Sequence, residues 1–351
     1  MNLNPKYFEN QDKFLNHTIN PSSKYLILLA SNTTIELQKF NKQNIDIYGA
    51  IFSYITFKNK IYDKGLISIE ISDKEMDLDF IENIKNYKFD INKFAEVRSM
   101  ITIFNGFNNH NQDFFIELFE NTPLDVNIMG GGAGIIEDKN KKVFFNNRGF
   151  FKNATILLSI KSKIKLTSKE GWEYLSGPYI VTSSDKNIIK TIDYIDAFEL
   201  YKNEIKKDCN IDLNKDNFLE ISKNYPLSIV KYTDDNIVRD PISFEKGKLI
   251  LVTEVGVNSI INILKGNKKS LISAAKEAAK EVLDENINLA LVFNCITRKD
   301  FLGENFQEEL DEIYAQIDSK NMIGALTIGE IASNGNKYTN LLNKSCVIGG
   351  I

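Results

Sequence analysis

The run Leu289-Ala290-Leu291-Val292-Phe293, the stretch Phe306 to Ile317, the segment Met322-Ile323-Gly324-Ala325-Leu326 and the final Ser345 to Ile351 together decide the fold of this chain. The first has no polar position, which a strand sustains when both of its faces are shielded. The second is amphipathic with helical spacing, the third opens a further strand at glycine, and the fourth reads as a return strand.

Working outward, the same order recurs twice. Met100 to Phe104, Asp113 to Phe119, Ile128-Met129-Gly130-Gly131-Gly132 and Ala154 to Ile160 form one occurrence. Tyr25 to Ala30, Ile35 to Phe40, Ile47-Tyr48-Gly49-Ala50-Ile51 and Leu66 to Ile71 form the other. A repeated strand-helix-strand-strand unit predicts an α/β protein of mixed sheets covered by helices. Chance likeness among ordinary strand-helix-strand pieces is the competing explanation. Between the last two occurrences lie expected strands at Tyr179 to Thr182, Leu227 to Tyr232 and Leu249 to Thr253, and an alanine-rich helix at Lys268 to Leu283. Two connectors are expected, a helix-rich one over Ile71 to Met100 and a polar one over Lys202 to Lys215, the latter at a domain boundary.

Composition narrows the function. The 351 residues are 43% hydrophobic and 26% charged, as globular chains are, and they suffice for two domains. With 43 basic against 47 acidic side chains the net charge is -4, which offers nothing to nucleic acid or an anionic membrane. Met1 to Lys24 lacks the pattern of a secretory signal and no apolar run is long enough to cross a bilayer, so a cytoplasmic protein is expected. Cys209, Cys295 and Cys346 are far apart and form no CxxC pair. His17 and His110 are the only histidines, which weighs against histidine-dependent catalysis; no metal or cofactor is expected.

Gly130-Gly131-Gly132-Ala133-Gly134 follows a strand as a dinucleotide loop would, but a charged turn and Val143 to Phe145 come next, with no helix to face a pyrophosphate. Two explanations remain: close backbone packing, or a loop around Gly131 and Gly132 that lines a ligand. Gly324 to Gly329 has P-loop spacing, yet Glu330 stands where lysine is required. The remaining constellation is scattered. Cys295 and Arg298 lie just past one strand and Gly329 and Glu330 just past another; if those strands are parallel neighbours, both loops share one carboxyl edge. Arg298 would then grip a carboxylate and Glu330 an ammonium group, as an amino acid requires. The alternative is an Arg298–Glu330 ion pair that only pins two loops. Asn343 either joins this site or caps the turn before the last strand.

These residues resemble the FIST family. Leu291 to Arg298 ending in CxxR, Ile323 to Ile331 ending in GEI, and the asparagine-bearing Asn340 to Ser345 look like the C-terminal FIST domain. Upstream, Gly130 to Gly134, Gly171-Trp172, Gly177-Pro178, Ala197 to Tyr201, Tyr225-Pro226-Leu227 and Val238-Arg239-Asp240-Pro241 follow in the order expected of a FIST pair. The resemblance implies a leader over 1–23, an N-terminal domain over 24–200 and a C-terminal domain over 201–351. It also implies a sensory module that binds a small ligand, amino acids among them, at Cys295, Arg298, Gly329, Glu330, Asn343, Gly131 and Gly132. Because the sequence stops at Ile351, the output is expected from a separate signalling protein. Tyr48 to Tyr54 and Ile135 depart from the family pattern, which weakens any site in the N-terminal half. Two other classes stay open: an enzyme with Cys295 as nucleophile, although no histidine is placed as its base, and an interaction scaffold without a ligand.

Overall fold

A computed structural model describes residues 3–17, 19–71, 74–231, 237–282, 287–317, 321–335 and 341–351. Tyr232, Leu283 and Asn340, at the limits of expected segments, lie outside them. The chain is a mixed α/β protein, and the described residues form four sheets.

Three six-stranded sheets share one pairing scheme. In the first, Lys24–Ala30 and Asp46–Phe52 run parallel, Leu66–Ile71 returns antiparallel to the former, and Phe144–Asn146 lies antiparallel to the latter. In the second, Ser99–Asn105 and Asn127–Ala133 are the parallel pair, flanked by Thr155–Ile160 and Glu330–Ser333. In the third, Leu289–Cys295 and Asn321–Thr327 are parallel, flanked by Cys346–Gly350 and Ile55–Phe57. The last strand of each set is therefore lent by a distant part of the chain. The hairpin after Asp46–Phe52 closes the third sheet, Phe144–Phe151 closes the first, and the strand after Asn321–Thr327 closes the second.

Burial explains the apolar runs. Leu289, Leu291 and Phe293 meet Leu26 and Leu28 of the first sheet and Ile101 and Ile103 of the second in one shared interior, with only about 10 Å³ of free space. Its lining is wholly apolar and offers a water no hydrogen-bond partner. The alternate residues Ala290 and Val292 pack outward beneath the helices Lys268–Val282 and Phe306–Gln316. Each strand has an apolar neighbour on both faces, so the period-2 polar signal vanishes.

The fourth sheet is antiparallel and built from residues 173–265, with Glu173–Asp185 and Ile260–Lys265 at its centre. The helix Ala197–Cys209 buries Phe198, Tyr201 and Ile205 against it.

Several segments differ from their sequence reading. The supposed leader contributes the strand Lys6–Phe8, paired with Leu66–Ile71, and buries Leu3 and Phe14. The supposed helix-rich connector contains Met76–Ile81, an edge strand of the second sheet in which buried Met76 and Leu78 alternate with Asp77 and Asp79. The polar connector begins inside the helix Ala197–Cys209, whose lysines face solvent while its apolar stripe faces the sheet. Backbone pairing also crosses residue 200 in all four sheets except the first, as where Lys165–Lys169 pairs with Cys346–Gly350.

Candidate functional site

The carboxyl ends of Leu289–Cys295 and Asn321–Thr327 lie side by side, Cys295 opposite Thr327. Parallel neighbours must end at one edge, so the loops that carry Cys295, Arg298 and Glu330 do share it.

Arg298 and Glu330 nevertheless take different partners there. Arg298 sits in the short helix Ile296–Leu302 and is completely buried. Its Nη2 donates to Glu309 Oε2 at 2.6 Å and to Leu271 O at 3.0 Å, and its Nε to Glu309 Oε1 at 3.5 Å. Its Nη1 donates to Lys344 O at 3.3 Å and to Glu170 O. All five N–H groups are engaged, which leaves no fork for a ligand carboxylate. Asn294 Nδ2 adds a bond to Glu309 Oε1 at 2.7 Å, so the carboxylate and guanidinium are fixed from several sides. Glu309 was hidden in the helix Phe306–Gln316. One signal could have found it: a carboxylate on the buried stripe formed by Phe306, Leu310 and Ile313 demands a buried partner.

Glu330 is also fully buried, but no cation pairs with it among the described residues. It follows a tight turn in which Gly329 has φ +82°, a conformation that favours glycine. Thr327 Oγ1 lies 2.7 Å from Glu330 Oε1, while Ser345 approaches Oε2 with its backbone N–H at 3.4 Å and its hydroxyl at 3.3 Å. Burial pushes the Glu330 carboxyl up to about 8, against the opposing effect of these hydrogen bonds and of Cys295. Thr327 Oγ1 donates to Glu330 Oε1 and also lies 3.2 Å from Asn294 O, so its single hydroxyl proton is shared between two acceptors.

Cys295 is buried beside this carboxyl, its Sγ 3.1 Å from Thr297 Oγ1 and its N–H donating to Ser345 O at 3.1 Å. Burial, with Glu330 adding, pushes the thiol up to about 12. Gly131 and Gly132 belong to the strand Asn127–Ala133, not to a loop. Gly131 pairs with Glu330, and a Cβ on it would fall 2.3 Å from Thr327 Cγ2. Gly132 donates its N–H to Gly329 O at 2.8 Å and accepts from Ile328 N at 2.9 Å. Close packing accounts for both glycines, and the Gly132 amide is already used.

The segment Leu341–Ser345 joins this edge to the fourth sheet. Asn343 accepts from Thr253 Oγ1 at 2.8 Å. Lys344, completely buried, pairs with Asp240 at 3.2 Å and donates to Lys223 O at 3.1 Å. Its ammonium lies 5.0 Å from the centroid of the Trp172 ring, and its carbonyl accepts from Trp172 Nε1 at 3.2 Å. Burial raises the Asp240 carboxyl, an effect that Lys344 opposes. Lys344 and Ser345 were missed as site residues, since nothing local marks an exposed from a buried lysine in a turn.

No curated protein matches the chain. The FIST N domain model matches residues 29–195 and the FIST C domain model residues 197–333. FIST domains are associated with sensing in signal transduction. No helix among the described residues is long and apolar enough to cross a membrane. Two adjoining matches over most of the sequence, in the order N then C, establish that the chain belongs to the FIST family.

Proposed function

We propose that this chain is a cytoplasmic sensory module that binds a small ligand at the Glu330 edge and signals occupancy to a separate output protein. The observation that carries the reading is Glu330 itself, a buried carboxyl with a raised affinity for its proton and no cationic partner among the described residues, at the carboxyl edge of parallel strands. Perturbed carboxyls in that position mark functional sites. An amino acid is the ligand class we favour, its ammonium group displacing the Glu330 proton and pairing with the carboxylate left behind.

Access to Glu330 requires Ser345 and its neighbours to move, and these same residues hold the fourth sheet through Asn343 and Lys344. A ligand that favours the displaced segment therefore shifts the position of the fourth sheet, which is how occupancy would reach a partner. Arg298 acts here as a positioning residue: it anchors the Lys344 carbonyl and the helix beside the site.

Thermal melts of the full chain against a panel of amino acids test this. At least one is expected to raise the melting temperature in a saturable way, and Glu330→Gln should lose the response. A flat panel, or an unchanged response in Glu330→Gln, would defeat the reading. Cys295 separates the enzyme alternative: a thiol held near 12 should react sluggishly with iodoacetamide at neutral pH, whereas fast stoichiometric labelling would favour a nucleophile.

A further inference from the structure

Among the described residues three cationic side chains are buried, Arg239, Arg298 and Lys344, and three acidic ones, Asp240, Glu309 and Glu330. Arg298 is matched with Glu309 and Lys344 with Asp240. Arg239 and Glu330 are left over, and they are not paired with each other.

Arg239 closes the strand Ile237–Arg239 of the fourth sheet, at the Val238-Arg239-Asp240-Pro241 motif, and is only 6% exposed. Its Nε donates to Glu254 O at 3.0 Å, and its Nη1 to Val238 O at 3.1 Å and Leu341 O at 3.0 Å. Every acceptor is a neutral carbonyl. Nη2 donates to none of the described residues, and no described carboxylate lies within ion-pair range. The Glu254 side chain is exposed to solvent and acts on the guanidinium only through space. Arg298, with five bonds and a carboxylate, shows what a satisfied buried guanidinium looks like in this same molecule.

An unbalanced buried cation is costly, and the cost is relieved when an anion arrives. At the seam between the fourth sheet and Leu341–Ser345, Lys344 is answered by Asp240, with Asp300 acting on both, while Arg239 has no carboxylate within ion-pair range among the described residues. A planar carboxylate matches the paired donors of one guanidinium nitrogen edge. We propose that Arg239 anchors a binding site for a small carboxylate at this seam, with Nη2 supplying the free donors. The inference deepens the sensory reading, because Arg239 and Glu330 grip the two ends of one segment, Leu341 and Ser345. Arg239 thereby takes the carboxylate-binding role that Arg298 cannot fill.

The test is a thermal titration of the full chain in which sodium acetate replaces sodium chloride at constant ionic strength, with Arg239→Gln alongside. Acetate should raise the wild-type melting temperature in a saturable way, and Arg239→Gln should bind it about tenfold more weakly or worse. No acetate response in the wild type, or an equal response in the variant, overturns the proposal; a larger response to inorganic phosphate than to acetate overturns the carboxylate assignment. If Arg239→Gln does not fold, the wild-type chain decides, since the Arg239 Nη resonances must shift on acetate addition and unshifted resonances overturn the site. Acetate binding through Arg239 with a flat amino-acid panel would leave the anchor standing and remove the sensory reading. An amino-acid response that survives Arg239→Gln would do the reverse.

Discussion

The second and third sheets end their parallel pairs in the same way and fill the space differently. In the second, Asn105 terminates the first strand, and its Nδ2 donates to Lys152 O at 2.7 Å while its Oδ1 accepts from Phe107 N at 2.9 Å. Asn111 Nδ2 bonds Asn105 O at 2.8 Å, and the edge closes on neutral amides and backbone. In the third, Cys295 takes the place of Asn105, and Glu330, Arg298 and Glu309 crowd around it. One pairing scheme thus supports an inert edge and a titratable one. The difference follows position: the segment Leu341–Ser345, which pairs with Glu330–Ile331 of the second sheet and leads into Cys346–Gly350 of the third, brings the fourth sheet against the third edge through Asn343 and Lys344. The buried charges lie where two parts of the molecule meet.

The contrast can be broken most sharply at Arg298. Arg298→Ala leaves Glu309 buried and unpaired and should cost about 3–5 kcal/mol in denaturant melts, whereas Asn105→Ala, which strands only neutral groups, should cost about 1–3 kcal/mol. Equal losses would show that the ion pair is no more demanding than the amide closure.

A smaller effect sharpens the same comparison through pH. The folded chain keeps the Glu330 proton up to about 8, while the unfolded chain releases it in the ordinary carboxylate range. The stabilisation is whole below that range and is lost as pH rises toward 8, because the folded state then binds more protons than the unfolded one. Glu330 should impose a decline of at most about 1.4 kcal/mol per pH unit over this window. The difference between wild type and Glu330→Gln, read from melts at several pH values, should trace that decline; parallel curves would mean that Glu330 ionises normally in the fold.

The smallest expected effect concerns docking. Thr253→Ala removes the hydroxyl that donates to Asn343 and should cost about 0.5–1.5 kcal/mol, with faster amide exchange in Leu341–Ser345 and none of that change around Asn105. Uniform exchange at both edges would indicate that the seam is not a separate unit.

Much of this architecture is legible in the residues. The runs at Leu289–Cys295 and Ser99–Asn105 can be strands because they are apolar on both faces, and Phe306–Gln316 declares itself by its stripe. Their parallel pairing follows once a helix is seen to connect two strands. The exchange of closing strands is not legible. Ile55–Phe57 has three residues, enough to be a strand and too few to name Asn321–Thr327 as its partner. At the site, that Cys295, Arg298 and Glu330 follow two neighbouring strands is legible, but which charge meets which depends on helix orientation. Glu309 reached Arg298 first. The glycines at 131 and 132 looked like a loop because strands rarely carry so many; here they allow two backbones to approach.

The lending of strands among the three sheets has a consequence for synthesis on the ribosome. Ile55–Tyr62 emerges early, yet the strand it must cover, Asn321–Thr327, is made roughly 260 residues later. At about 5–20 residues per second that is a wait on the order of ten to fifty seconds with a bare ribbon edge in the nascent polypeptide. Lys58 and Lys60, carried on that ribbon, are the kind of charge that discourages an unpaired edge from joining another chain while it waits.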